Sequence, residues 1–416
     1  MRSKTILLLS LLLVTPLLAQ DARVERILRE VPLIDGHNDL PWQYRERVKN
    51  HLAQIDIRTD QSALTPALHT DITRLRKGGV GAQFWSVYVP ATLKGADAVQ
   101  ATMEQIDVVH RLAVLYPDTF VLARTAEDVK RIHASGKIAS LIGIEGGHSI
   151  NNSLAALRQL HELGAGYMTL THSLNNDWAD SATDDPKHNG LTPFGRAVVA
   201  EMNRLGMLVD LSHVAPKTMN DAIDASLAPV IFSHSSARAL TNHARNVPDD
   251  VLARLKQNDG VVMVTFVPGF VSEGVRSTGA QRDAEEARLK AMFAGQPDKV
   301  KEGLTAWDTA HPRPRATISD VADHIQHVMQ IAGEDHVGLG GDLDGIGTTP
   351  VGLESVADYP KLLTELLRRG VTEQQVKKLV GLNLLRVMQK AEAVAAKLQK
   401  EKPAADATIE ELDQAK

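Results

Sequence analysis

The sequence predicts an α/β fold, a closed, TIM-like (β/α)8 barrel, on three observations. Short apolar runs alternate with longer helical patterns, there are eight such runs, and each is nearly continuously apolar. Alternation indicates a parallel sheet with crossover helices, and continuous apolarity indicates strands covered on both faces. Eight units favour a closed barrel over an open sheet. The 416 residues suffice for one such barrel, and 43% hydrophobic with 23% charged residues is ordinary for a globular chain.

In chain order the runs are Leu33–Gly36, Gly81–Tyr88, Ile138–Ile144, Tyr167–Thr171, Met207–Leu211, Pro229–Ser233, Gly260–Phe266 and His336–Gly341. Helical patterns between them include Asp97–Leu115, Ser153–Leu163, Pro193–Leu205 and Ile318–Ile331. The first run continues Leu-Ile-Asp-Gly-His-Asn-Asp, without the glycine fingerprint of a dinucleotide-binding turn.

Three segments stand outside this pattern. Residues 1–20 carry Arg2 and Lys4, an apolar run Ile6–Leu13 and a small-residue exit through Thr15, Pro16 and Ala19. That is the layout of a signal peptide, so a secreted or periplasmic protein is expected, with residues 21–396 as its single domain. Residues 271–317 are long, charged and punctuated by glycine, and read as a partly helical insertion beside the mouth, either a lid or a solvated decoration. From about Lys397 the chain is charged and alanine-rich, as expected of a flexible tail. A net charge of -5 with scattered charges gives no sign of a nucleic-acid partner, and no later stretch is apolar enough to span a membrane. There is no cysteine, so any metal must be held by His, Asp and Glu.

Those residue types recur where the strands end. The first run delivers His37 and Asp39, the third Glu145, the fourth His172, the fifth His213, the sixth His234 and the eighth Asp342. In a barrel these ends converge on one face, where active sites of this fold sit. Each residue alone has an ordinary explanation. His37 and Asp39 could be a loop pair, Glu145 could cap the next helix with His148 as the working neighbour, and His213 and His234 could be satisfied rim histidines. Together they would crowd unpaired charge at one rim, costing several kcal/mol unless cations compensate. Imidazole and carboxylate without thiolate suit zinc, with manganese, cobalt or iron as other occupants. His37, Asp39, Glu145, His213 and His234 are too many for one catalytic zinc, and suit two ions with Glu145 between the groups as the bridge. Ions about 3.5–4 Å apart would hold a hydroxide aimed at an electrophilic carbon.

At these residues the sequence resembles the membrane (renal-type) dipeptidase family. The matching motifs are Ile34-Asp35-Gly36-His37-Asn38-Asp39-Leu40-Pro41-Trp42, Gly143-Ile144-Glu145-Gly146-Gly147-His148-Ser149, Leu170-Thr171-His172-Ser173, Phe232-Ser233-His234-Ser235-Ser236, Arg245-Asn246-Val247-Pro248-Asp249-Asp250 and Gly340-Gly341-Asp342-Leu343-Asp344-Gly345. They run in order from about residue 24 to about 395. The resemblance implies a barrel of the metal-dependent hydrolase type with two Zn2+ per chain. His37, Asp39 and Glu145 would hold one ion, and Glu145, His213 and His234 the other. His172 would contact the scissile carbonyl, Arg245 the substrate carboxylate, and Asp342 would shuttle the proton to the leaving amine or anchor the substrate's ammonium. Asp344 has a weaker claim. The implied activity is hydrolysis of dipeptides, including those with a C-terminal D-residue, with a side activity on β-lactams and a homodimer as the assembly.

Two features depart from the animal members, which carry structural cysteines and a C-terminal anchoring signal. This chain has neither, and its 271–317 insertion is longer. Other readings of the same residues are another amidohydrolase reaction on N-acyl-amino acids or lactones, and a non-enzymatic secreted metal- or peptide-binding protein. The fourth run ends in Thr171-His172 and offers no lysine for a carbamate bridge.

Overall fold

A computed structural model describes residues 22–413, so the expected signal peptide lies outside the described residues. Nine parallel strands are present: β1 (Leu33–Asn38), β2 (Val80–Ser86), β3 (Phe120–Leu122), β4 (Ile138–Glu145), β5 (Ala165–Thr169), β6 (Leu208–Asp210), β7 (Ile231–Phe232), β8 (Val261–Val264) and β9 (Val337–Leu339). They hydrogen-bond in the order β2-β1-β9-β8-β7-β6-β5-β4, and β2 also pairs with β4, closing an eight-stranded barrel. Each of the eight barrel strands overlaps one of the eight apolar runs of the sequence; β6, β7, β8 and β9 lie within theirs, and β1, β2, β4 and β5 extend one or two residues past theirs.

The ninth strand was not expected. β3 pairs with Ile138–Ser140 at the start of β4, on the flank that β5 leaves open by engaging only Ile142–Glu145. Three residues are too few to show a period, which is why the sequence concealed it.

Helices wrap the barrel, and their ends follow local chemistry. The helix Pro193–Leu205 starts on Thr192, whose side chain accepts from the Gly195 N–H, and stops at Gly206 with φ 81°. Ile318–Ile331 begins with a reciprocal box between Thr317 and Asp320. The helix Asn383–Glu401 packs beneath the barrel, where Leu384 and Met388 join one apolar cluster with Ile34, Phe84, Leu208 and Val261.

The insertion forms two helices, Glu273–Met292 and Pro297–Ala310, packed against each other. The first buries only Leu289 and the second buries no residue. The segment from Lys397 continues that long helix to Glu401, and residues 402–413 then lie against Pro193–Leu205. Arg158 donates to the Ala405 carbonyl at 2.7 Å and Asp413 accepts from the Phe194 N–H at 2.9 Å. Apolar Ala405, Ile409 and Leu412, spaced among the charges, provide the docking face. Among the described residues no helix is long and apolar enough to cross a membrane.

Candidate metal centre

The strand ends bring every sequence-expected residue to one mouth. Asp39, Glu145, His172, His213, His234, Arg245 and Asp342 line a cavity of about 500 Å³, with His37 fully buried behind them. Glu145 is the hub. Its Oε1 lies 3.0 Å from His213 Nε2, 3.5 Å from His234 Nε2 and 3.7 Å from His172 Nε2, while its Oε2 lies 3.5 Å from His37 Nε2. His37 Nε2 is in turn 3.3 Å from Asp39 Oδ2. The two carboxylate oxygens thus face different donor groups.

Backbone turns after the strands aim several of these side chains. His213, Asp342 and Asp344 adopt φ of 69°, 58° and 65°, a left-handed conformation that side chains other than glycine rarely take and that clusters at functional sites. Gly345 lets the Asp39 and Asp342 carboxylates approach, because a Cβ there would sit 2.2 Å from Asp39 Oδ2 and 2.7 Å from Asp342 Oδ1.

Hydrogen bonds behind the histidines fix their tautomers. The Tyr167 hydroxyl donates to the Gly36 carbonyl at 3.2 Å, which leaves its oxygen to accept from His37 Nδ1 at 2.9 Å. Ser233 Oγ donates to Asp210 Oδ2 at 2.6 Å and accepts from His234 Nδ1 at 2.8 Å. In both rings the Nδ1 carries the proton, so the Nε2 lone pair points into the site. Ser86 donates to Glu145 Oε2 at 3.2 Å. Sequence reading missed Tyr167, Ser233, Asp210 and Ser86. Only Asp210-Leu211-Ser212-His213 and Ser233-His234 carried a signal, as polar residues repeatedly preceding a histidine at a strand end.

Electrostatics at the mouth favour a cation. Burial opposes ionisation of Glu145, yet His37, His172 and His213 hold its carboxyl well below the usual range. Burial, with Arg245 and neighbouring histidines, pushes His213 and His234 well below the ordinary imidazole value, so both are neutral. Burial would also lower His37, but Tyr167, Glu145 and Asp39 lift it well above its usual value. Asp342 is raised by burial and by Asp39 and Glu145. Positive charge is therefore favoured between His37, Asp39 and Asp342, where His37 gives up a proton to ligate through Nε2, as the neutral His213 and His234 already can.

The donor set fits a metal. His37 Nε2 is buried without a hydrogen-bond partner, and His213 Nε2 and His234 Nε2 face each other at 2.9 Å. Donors sharing one tetrahedral ion at about 2.1 Å lie about 3.4 Å apart, close to the spacings around Glu145. Three sets of donor atoms, each within 4.8 Å of one another, occur among the described residues: His37, Glu145 and His234; Glu145, His172 and His213; and His37, Asp39 and Asp342. His172 and Asp342 thus lie as near the donors as the five residues expected to ligate.

Arg245, beyond β7, is almost fully buried, its guanidinium 5.4 Å from the Phe270 ring centre. Its Nη1 donates to Ser235 Oγ and its Nη2 to the His234 carbonyl, both at 3.3 Å. Burial lowers it to about 10, which leaves it charged at neutral pH. Asp344 is instead tied to His69, accepting from its backbone N–H at 2.6 Å and donating its own to Nδ1 at 2.9 Å. His148 sits in the turn after β4 outside the cavity wall, and burial takes it down to about 4.

A parallel barrel with buried histidines and carboxylates at its C-terminal mouth defines a metal-dependent hydrolase. The profile of the family described as "Membrane dipeptidase (Peptidase family M19)" matches residues 21–402, and the chain belongs to that family. Among solved structures it is similar to a probable dipeptidase, PvdM, from Pseudomonas aeruginosa, with 22% identity, coverage of 91% of this chain and 99% of that one, and a TM-score of 0.78. A metallopeptidase from Rhodobacter sphaeroides, liganded with a phosphinate mimic of L-Ala-D-Ala, is 25% identical over 87% of this chain and 99% of its own, with a TM-score of 0.70. A dipeptidase AC of the same family is 26% identical over 87% and 98%, with a TM-score of 0.67. The chain is a metal-dependent dipeptidase, a hydrolase acting on peptide bonds.

Proposed function

We propose that the protein is a two-zinc dipeptidase that accepts dipeptides with a C-terminal D-residue. The observation that carries this reading is the division of Glu145, whose Oε1 serves His213 and His234 while its Oε2 serves His37 beside Asp39. One group comprises His37, Asp39 and Glu145, and the other Glu145, His213 and His234. Two zinc ions so held would supply an activated water and polarise the scissile carbonyl. The ligand of the Rhodobacter relative supports the substrate class.

Within this reading each remaining residue has one task. Arg245 grips the substrate carboxylate through its guanidinium fork, held in place by Ser235 and the His234 carbonyl. His172, at the rim of the cavity, donates to the oxygen that becomes negative as the carbonyl is attacked. Asp342, whose carboxyl burial and the neighbouring Asp39 and Glu145 make more basic than usual, takes the water's proton and gives it to the leaving amine. The expected export by a signal peptide and the homodimer belong to the same proposal.

The test is metal analysis of purified protein coupled to a panel of L-L and L-D dipeptides, N-acyl-amino acids and a carbapenem. Two zinc equivalents with turnover of L-D dipeptides, and slower opening of the carbapenem ring, are expected. Turnover of acylated amino acids alone would sink the proposal. Glu145→Gln should lose bound metal and at least about a thousandfold of activity together, because one change empties both donor groups.

A further inference from the structure

The helix Leu40–Val48 follows directly on Asp39, and its spacing sets Asp39, Trp42, Gln43 and Glu46 on one face, toward the cavity. Glu46 is exposed, and among the described residues it accepts no hydrogen bond and makes no ion pair. Its neighbour Arg47 is turned elsewhere, donating to Gln43 Oε1 at 2.6 Å and to the Pro66 carbonyl at 2.7 Å. A second cavity of about 360 Å³ adjoins the first, with Glu46, Gln43 and Ile346 in the walls of both. Between Glu46 and the donor cluster lies an aromatic step. Trp42 and Tyr88 meet edge to face at 4.8 Å, and Tyr88 lies 5.0 Å from the His172 ring. Glu46 is close enough to Tyr88 for its charge to be felt at the hydroxyl.

The order of strands, with the substrate carboxylate placed at Arg245, sets which end of a substrate reaches this place. Arg245 follows β7, whereas β9 and β1, carrying Asp342, Asp39 and the Glu46 helix, lie two and three places further round the ring. A dipeptide with its carboxylate on Arg245 directs its N-terminal residue toward β9, β1 and β2. There its side chain meets aromatic faces first and an unpaired carboxylate beyond. A long aliphatic stem ending in a cation matches both, the stem lying on the rings and the charge reaching Glu46.

We propose that Glu46 is a specificity residue that selects dipeptides whose N-terminal residue has a basic side chain, such as lysine or arginine. This rests on the placement of the substrate carboxylate at Arg245. The pair is solvent-exposed, so the preference is about fivefold and weakens with salt.

The test compares kcat/KM for Lys-Ala and norleucyl-Ala, equal in stem and different in charge, using the metal-loaded full chain at low ionic strength. The wild type should favour Lys-Ala about fivefold, Glu46→Gln should bring the ratio to about one, and Glu46→Lys should favour Glu-Ala over Gln-Ala. The ratio of Ala-Lys to Ala-norleucine should be near one in every variant. A wild-type Lys-Ala ratio near one, or a ratio that Glu46→Gln leaves unchanged, overturns the inference while leaving the dipeptidase reading intact. A charge preference at the C-terminal residue that vanishes in Glu46→Gln overturns it by reversing the substrate. Hydrolysis of none of these dipeptides removes the dipeptide reading and the inference together.

Discussion

In the lower half of the barrel, Ile34, Leu208 and Val261 meet Leu384 and Met388 of the C-terminal helix in a closed apolar cluster. A few residues along the same strands, the mouth holds His37, Asp39, Glu145, His213 and His234, buried but ionisable, with Asp342 half-buried beside them. The base buries side chains that prefer to leave water, while the mouth buries groups that resist it and need compensation. Stability and chemistry are thus separated along the strand axis, so each end can be altered with limited effect on the other.

The largest departure from that separation would come from Asp342→Asn. This substitution removes a charge that Asp39 and Glu145 oppose, so folding should hold and metal should stay. Turnover should fall by about 10²- to 10⁴-fold, as for loss of a positioned proton carrier. Steady-state kinetics with metal content on one sample checks it, and full activity would remove Asp342 from the proton path. Next, Met388→Ala at the base should cost about 2–5 kcal/mol in denaturant unfolding and leave kcat unchanged. A matching fall in kcat would mean that the two ends are coupled. Smallest is Tyr167→Phe, which frees His37 Nδ1 without enlarging the core. Metal affinity should weaken about 10- to 100-fold in chelator competition while the unfolding midpoint of the metal-free protein changes little. An unchanged affinity would show that Tyr167 does not position His37.

Much of this was legible in the sequence because strand ends are local. Apolar runs fix where each barrel strand lies, and the residue at its end inherits a place on the rim. His37, Glu145, His213, His234 and Asp342 could therefore be assembled without knowing a single distance. Contacts between strands were not legible. Tyr167 sits inside an apolar run and reads as core, yet its hydroxyl crosses to Gly36 and His37. Glu46, on a helix beside the mouth, reads as one more surface charge until the cavity wall shows what it faces. The docking of residues 402–413 was hidden for the opposite reason, since three apolar residues among charges make too weak a pattern.

The pairing of β1 with β9 has a further consequence. The first and last strands meet, and the join is laced by Gly341 N–H to Asp35 at 2.8 Å, Asp342 N–H to the His37 carbonyl at 3.1 Å and Asp39 N–H to the Leu343 carbonyl at 3.0 Å. His37 and Asp342, from opposite sides of this seam, share one set of donor atoms. The mouth is therefore complete only in a chain whose synthesis has passed β9, which delivers Asp342. Whatever binds between these side chains also fastens the ring, since a ligand of the closed form alone stabilises it by mass action. A ligand held between His37 and Asp342 would thus tie the first strand to the last, and amide exchange along β1 and β9 should respond first when it is removed.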